Sequence, residues 1–201
     1  YLDEHNVYDI EIVSTLGLTD EDIEEIKKLD IADNIIGVKS TDEIISFENR
    51  EKVVKIISIT DMNKITLVEG NLPQVENEIV VERQMLEENK LSIGDFIEIN
   101  SETLTPHSLK IVGIVESPIY FSTSRGSSQV GNGKLDYYTY VLENAFHIDY
   151  YNSIDMTLKG TSETITNSRS YLDIIEKGKE KLESIREERE EERFRTLYQD
   201  Q

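Results

Sequence analysis

An α+β fold is predicted by three features of this 201-residue chain. Short apolar or alternating runs recur through residues 1–160. A capped amphipathic helix stands between the first two of them. From residue 161 onward the pattern turns helical and charged to the end. The length suits one domain or two small ones. With 37% hydrophobic and 31% charged residues, a core is affordable beside a heavily solvated part.

Residues 7–14, VYDIEIVS, alternate as a half-buried strand, which Gly17 is expected to break. Thr19 then precedes DEDIEEIKKL. It is a good N-cap, and Asp22 three residues on resembles a capping box with a shorter acid. Acids in the first turn and Lys27 and Lys28 in the last suit the helix dipole. Two strands follow, IIGVKSTDEIISFE, expected to bend or split near Ser40, and residues 52–60, with Arg50 and Glu51 as the hairpin connection. The first 60 residues thus read β-α-β-β.

Residues 61–70 lead into NLPQVENE, a loop carrying Pro73 and two Asn. Residues 78–82 are a strand, 83–90 a short helix with Met85 and Leu86 inward, and Gly94-Asp95 a tight turn with Gly94 at positive φ. Residues 96–100 and 109–116 are strands. Gly113 inside the second predicts a bulge or close backbone approach. Residues 117–134, crowded with Ser, Gly and Asn, read as a long mobile loop. Residues 137–142 and 154–158 return to strand, the latter ending at Gly160. The final helical span of about 40 residues would reach roughly 60 Å. Tyr171, Ile175, Leu182 and Ile185 fall at heptad-like spacing with Gly178 on the same seam. The seam then turns charged, with Arg186–Glu190 and Glu191–Arg195 spaced as i,i+4 pairs. Two readings stand: a solvated single helix, and one arm of an antiparallel coiled coil.

Composition narrows the chemistry. A formal net charge of −20 opposes phosphate binding and anionic membrane surfaces, so no nucleic-acid partner is expected. The absence of Cys removes disulfides and thiolate metal sites. No run approaches the roughly 20 apolar residues of a spanning helix. GSSQVGNGK, residues 126–134, lacks the Lys-Ser/Thr ending of a phosphate loop, because Leu135 follows Lys134. His5, His107 and His147 lack ligand spacing, and no calcium loop or G-x-S-x-G elbow is present. No catalytic residue, metal site or cofactor is expected; adventitious calcium is left open. Tyr137, Tyr138 and Tyr140, with Tyr150 and Tyr151, read either as an aromatic sugar-binding surface or as strand residues with a buried face. The chain starts at Tyr1 rather than Met and ends inside a charged helical pattern, which reads as an excised piece of something longer.

LVEGNLPQVENEIVVERQMLEENKLSIGDFIEIN, followed by LKIVGIVESPIYFS, resembles the extracytoplasmic core domain of MacB/FtsX-type ABC transporter permeases. The resemblance is carried in order by Gly70, Pro73, Asn77-Glu78-Ile79, Leu91, Gly94-Asp95, Ile97 and Val112-Gly113-Ile114-Val115. The continuation into a long charged helix is similar to large Gram-positive permeases with a coiled-coil insertion. The resemblance implies a ferredoxin-like β-α-β unit with an inserted small β-rich subdomain and a long C-terminal helix forming half of a coiled coil. It divides the chain into residues 1–61, the first half of the ferredoxin-like unit; 62–142, the insert, with a mobile loop at 117–136; 143–160, the return; and 161–201, the arm. The last strand of the unit would lie past residue 201.

The implied function is that of a non-catalytic extracellular permease domain on the outer face of the cell membrane. It would transmit motion from a separate cytoplasmic ATPase subunit through transmembrane helices of the same permease, and bind an extracellular peptide, lipoprotein, lipid or cell-wall partner. Candidate partner-binding residues are Tyr120, Phe121, Arg125, Gln129 and Lys134 on the loop and Tyr171, Leu182 and Ile185 on the arm, which also offers a dimer surface. The alternatives are a cell-wall-active enzyme and a secreted adhesin or scaffold using the coiled coil.

Overall fold

The computed structural model describes residues 6–118, 130–131 and 133–199. They fall into two compact units, one formed by residues 6–38 and 150–199, the other by residues 39–118, 130–131 and 133–149.

In the first unit, β1 (Ile10–Leu18) leads through α1 (Asp20–Lys27) to β2 (Ala32–Val38), and β10 (Tyr151–Leu158) lies between them, antiparallel to both. β1 and β2 are therefore parallel, and β1-α1-β2 is a split β-α-β of ferredoxin-like type. Ile154, Met156 and Leu158 of β10 are fully buried with Ile10, Ile23 and Ile26. The helix start predicted at Thr19 forms as a complete capping box. The Asp22 amide donates to Thr19 Oγ1 at 3.3 Å, and the Thr19 amide donates to Asp22 Oδ2 at 2.8 Å. Thr19→Ala is expected to lower the unit's stability by about 1 kcal/mol in urea denaturation, with little change in the slope. Gly17 does not end the strand. It sits at φ +79° in the irregular stretch between Val13 and Leu18, and β1 continues to Leu18.

In the second unit the strand order is β3-β4-β9-β6-β8-β5, with β7 also on β8. These strands are β3 (Ser40–Phe47), β4 (Arg50–Ser58), β5 (Thr66–Gly70), β6 (Glu78–Val81), β7 (Phe96–Glu98), β8 (Ser108–Glu116) and β9 (Tyr137–Val141), and α2 (Arg83–Asn89) follows β6. The core gathers Ile56, Ile79, Met85, Leu109, Ile111 and Tyr137. The split expected near Ser40 occurs between β2 and β3, and it is where the chain passes from one unit to the other.

The domain boundaries expected at 61/62 and 142/143 are corrected to 38/39 and 149/150. β3 and β4 belong with the insert because β4 pairs in parallel with β9, Val54 opposite Tyr137 through Ser58 opposite Val141. The β3–β4 turn is residues 48–49 rather than 50–51, with Glu48 at φ +51° and Phe47 paired to Arg50. β5, read as a lead-in to a loop, is a fully exposed edge strand on β8.

β8 collects the ordered motif elements. Gly70 pairs with Gly113, Ile79 with Ile111 and Ile97 with Leu109. The Asn77 carbonyl accepts from Lys110, the Gly94 amide donates to the Ile111 carbonyl, and the Asp95 carbonyl accepts from the Ile111 amide, each at 2.8 Å. Gly94 has φ +103°, as the turn requires. At Gly113 a side chain has no room: a Cβ would stand 2.4 Å from the Asn71 carbonyl oxygen and 2.9 Å from that of Glu69. The neighbouring Val112 is the extra residue in the pairing with β6, where Ile79 faces Ile111 and Val80 faces Gly113. Gly113→Ala is expected to cost about 2 kcal/mol and to increase hydrogen exchange along β5, because backbone must move.

Candidate functional site

The long helix α3 (Arg169–Tyr198) begins at the Ser168 N-cap, later than the expected residue 161. The intervening residues hold a 3-10 turn, Thr161–Glu163, and Asn167 at φ +65°, which interrupt the helix. The seam expected to face a second helix faces the three-stranded sheet instead. Ile174, Ile175, Leu182 and Ile185 pack on the cluster of Ile10, Ile154, Met156 and Leu158. The physical reason is Gly178, the one buried residue of α3. Without a side chain it lets the helix sit on Leu158 and Ile10, whose Cδ1 atoms would lie 2.8 and 3.4 Å from a Cβ there. Gly178→Ala is expected to be near neutral, the helix gain of about 1 kcal/mol offsetting the crowding of Leu158. Gly178→Leu overfills the contact and is expected to cost about 3 kcal/mol by thermal or urea unfolding.

Polar clasps fix both ends of the docked stretch. At its start, Asp9 Oδ2 accepts from the Leu158 amide at 2.7 Å and from Thr161 Oγ1 at 2.6 Å, while Tyr171 donates its hydroxyl to Asp9 Oδ1 at 3.1 Å. Burial, together with the Asp9 charge, pushes the Tyr171 phenol above its ordinary pKa. Further along, the capping-box acid does a second task. Asp22 Oδ1 accepts from Arg189 Nε at 2.8 Å, with Glu192 2.6 Å and Glu21 3.7 Å from the same guanidinium. Burial opposes the Arg189 charge, and the bonds and charges of Asp22, Glu192 and Glu21 outweigh it, so its pKa is raised. One turn on, Arg193 Nε donates to the Leu16 carbonyl at 3.0 Å.

Between these clasps, β1, α1 and α3 enclose a groove of about 490 Å3. Its apolar wall is Ile10, Ile12, Leu16, Leu182 and Ile185, and its polar wall carries Asp22, Arg186, Arg189 and Arg193. β1 ends the sheet: among the described residues its second edge meets no strand. Val13 stands 69% exposed on that edge strand. Such an arrangement can bind an extended chain. Among the described residues no cluster of three His, Asp or Glu could hold a metal ion.

Tyr171, Leu182 and Ile185 are thus brought together on the sheet side of α3. Tyr171 is tied into the Asp9 clasp, whereas Leu182 and Ile185 also line the groove. Lys134 is exposed in the other unit, beside the buried Leu135. Tyr120, Phe121, Arg125 and Gln129, and most of the loop expected over 117–136, lie outside the described residues. Tyr137, Tyr138 and Tyr140 are buried in β9, which removes the reading of these three as an exposed sugar-binding surface. Sequence reasoning missed Asp9, Arg189 and Arg193. Their only signal was a side chain able to bridge to a distant element, which no local pattern reveals.

No protein-family model matches the sequence, and no curated protein matches it. Among solved structures, the extracellular domain of the noncanonical ABC-type transporter YknZ from Gram-positive bacteria is similar at 12% identity. That match covers 75% of this chain and 78% of that one with a TM-score of 0.48. The periplasmic region of MacB from Actinobacillus actinomycetemcomitans is similar at 11% identity, covering 81% and 72%, with a TM-score of 0.42. A domain of a putative permease protein from Porphyromonas gingivalis is similar at 13% identity, covering 74% and 70%, with a TM-score of 0.43.

Proposed function

We propose that this chain is the extracellular domain of an ABC-type transporter permease, a non-catalytic element that transmits ATP-driven motion and engages a partner outside the cell. One observation carries the reading. Gly70, Asn77, Ile79, Gly94, Asp95 and Ile97, spread over residues 70–97, all pair or bond with residues 109–113 of β8. The ordered motif is therefore one physical unit and not a chance string of weak matches. The split β-α-β supports the same reading, since its chain leaves at Val38 and returns at Tyr150 with the insert between.

Transmission needs stiffness, and α3 supplies it. Its 30 residues are held in register by backbone hydrogen bonds, and its flank is fastened by the Asp9, Asp22–Arg189 and Leu16–Arg193 contacts. The partners of this reading are transmembrane helices of the same permease, a separate cytoplasmic ATPase subunit, and an extracellular peptide, lipoprotein, lipid or cell-wall component. Leu182 and Ile185, with Tyr120, Phe121, Arg125, Gln129 and Lys134, are the proposed contact residues. Expressed from its complete reading frame, the protein is expected to copurify from detergent-solubilised membranes with a subunit that hydrolyses ATP. Recovery from the soluble fraction, with no ATP hydrolysis attached, contradicts the proposal.

A further inference from the structure

One edge of the second unit's sheet turns apolar side chains outward. β5 and β7 lie end to end along one side of β8, β5 on residues 113–116 and β7 on residues 108–110, while β6 takes the other side. Leu67, Val68, Ile93 and Phe96 on this composite edge, and Leu72 and Val75 in the loop after β5, stand exposed, Phe96 by 57%. Ile93 bridges the two strands, since its Cδ1 lies 3.0 Å from where a Cβ on Gly70 would stand. Exposed apolar side chains gathered in this way mark an interaction surface. The strand expected past residue 201 belongs to the three-stranded sheet of the other unit, not to this one.

The surroundings are acidic. Residues 66–78 and 92–98, which carry these side chains, include Glu69, Glu76, Glu78, Asp95 and Glu98 and no Lys or Arg. Glu69 stands 3.6 Å from Arg83. Glu76, Asp95 and Glu98, with Glu116 opposite Thr66, form no ion pair among the described residues. Lys110 lies opposite Phe96 and leaves the acids in excess. Glu98 shares the exposed face of β7 with Phe96, because Ile97 between them turns into the core. A second copy of this chain would set like charges together, and an anionic membrane surface would be repelled. A cationic partner is complementary.

The backbone selects the partner's shape. The pairing of β5 with β8 shifts between Leu67 and Glu69. Between β5 and β7 the Asn71 and Gly94 amides turn inward to the Val112 and Ile111 carbonyls, at 2.9 and 2.8 Å. The outer side therefore offers an added strand no continuous ladder. Leu67 and Phe96 sit opposite Val115 and Lys110, five positions apart on β8, or roughly 17 Å. About eleven residues of α-helix span that length.

We infer that this edge docks a basic amphipathic helix of an extracellular partner protein, its apolar stripe on Leu67, Val68, Ile93 and Phe96 and its Lys or Arg flanks toward Asp95, Glu98 and Glu116. The inference rests on the partner-binding reading above and deepens it by naming a surface and the partner's chemistry. The test uses the whole chain and fluorescence anisotropy with three labelled peptides of about twelve residues. The first sets leucines at helical spacing between lysines. The second replaces every lysine with glutamate. The third keeps the composition of the first in an order that scatters the stripe. The first is expected to bind, and the other two to bind about ten-fold more weakly. Phe96→Ser is expected to weaken the first peptide about ten-fold. The double variant Glu98→Lys, Glu116→Lys is expected to move the preference to the glutamate peptide. These side chains are exposed, so circular dichroism should be unchanged in both variants.

No binding of any peptide to the unaltered chain, equal binding of all three, binding that Phe96→Ser leaves unchanged, or a preference that the double variant leaves unchanged overturns the inference. So does association with phosphatidylcholine vesicles, or dimerisation in sedimentation, that Phe96→Ser abolishes, because the occupant is then a lipid surface or a second copy. Failure here with ATPase copurification intact removes this docking edge and leaves the permease reading. Loss of copurification with peptide binding intact does the reverse.

Discussion

Replacing Arg189 with methionine is expected to lower the stability of the unit formed by residues 6–38 and 150–199 by about 3 kcal/mol, the low end for breaking a buried ion pair. The side chains of Arg189 and Asp22 are only 16% and 8% exposed, so solvent screens the pair little. Removing the cation leaves Asp22 Oδ1 buried without its donor, while Oδ2 still serves the Thr19 cap. The effect should be local. Hydrogen exchange should accelerate over the second half of α3 and the first turn of α1, and remain slow through β3 to β9 of the other unit. Asp22→Asn should cost less than Arg189→Met, because the amide oxygen still accepts from one of the two donors, the guanidinium or the Thr19 amide, and Arg189 keeps Glu192 and Glu21 as partners. The double variant should be less destabilised than the sum of the two, as expected for groups that share one bond. Additive costs, or loosening spread evenly through both units, would mean that Arg189 is a surface charge and not a clasp.

Between pH 10 and 12 the second unit is expected to lose about 3 kcal/mol of stability through Tyr137. Burial, helped by its hydrogen bond to Glu88, pushes this phenol up to about 12. It is 1% exposed and donates to Glu88 Oε2, while Asn89 Nδ2 donates to the phenol oxygen at 3.2 Å. In the unfolded chain the phenol ionises near 10, so above that pH the unfolded state binds fewer protons than the folded one. Stability is full below pH 10 and falls as the pH rises through about 12, two pKa units at roughly 1.4 kcal/mol each. Glu88 acts at the other end of the scale. The Tyr137 bond, aided by Gln84, holds its carboxyl below the ordinary value, so its contribution is present above that value and is lost as the pH falls. Tyr137→Phe should cost about 1 kcal/mol at neutral pH and flatten the alkaline slope. An unchanged slope in that variant would place the alkaline transition elsewhere.

How much of this was legible depends on how far apart the interacting residues lie. The Thr19–Asp22 cap spans three residues and was read correctly. So were the positive φ at Gly94, the irregularity at Gly113 and the break near Ser40. Each is written in a few adjacent side chains. β5 escaped because TLVEG is exposed throughout and owes its strand to β8, more than 40 residues onward. The unit boundary differs for a similar reason: the hairpin of β3 and β4 follows β2 directly in sequence, and only the distant β9, paired to β4, shows that it belongs with the insert. In α3 the right residues were picked and the wrong neighbour assigned. A seam of Ile175, Gly178, Leu182 and Ile185 states which face is apolar and does not say whether a helix or a sheet covers it. The Arg186–Glu190 pair forms as spaced, at 2.7 Å, whereas Glu191 and Arg195 form no pair among the described residues. Arg189, in the same charged run, reaches across to α1. The groove was invisible for the strongest version of this reason, since it exists only where β1, α1 and α3 meet.

The side of the membrane on which the chain stands is the most direct test. No cysteine stands in residues 1–201, so Glu187→Cys on the exposed face of α3 places one reactive thiol in this domain, any cysteine outside these residues being replaced by serine. In intact cells expressing the complete protein, a membrane-impermeant maleimide is expected to label that thiol as fully as it does after lysis. Labelling that requires lysis would place the domain inside the cell and contradict the account.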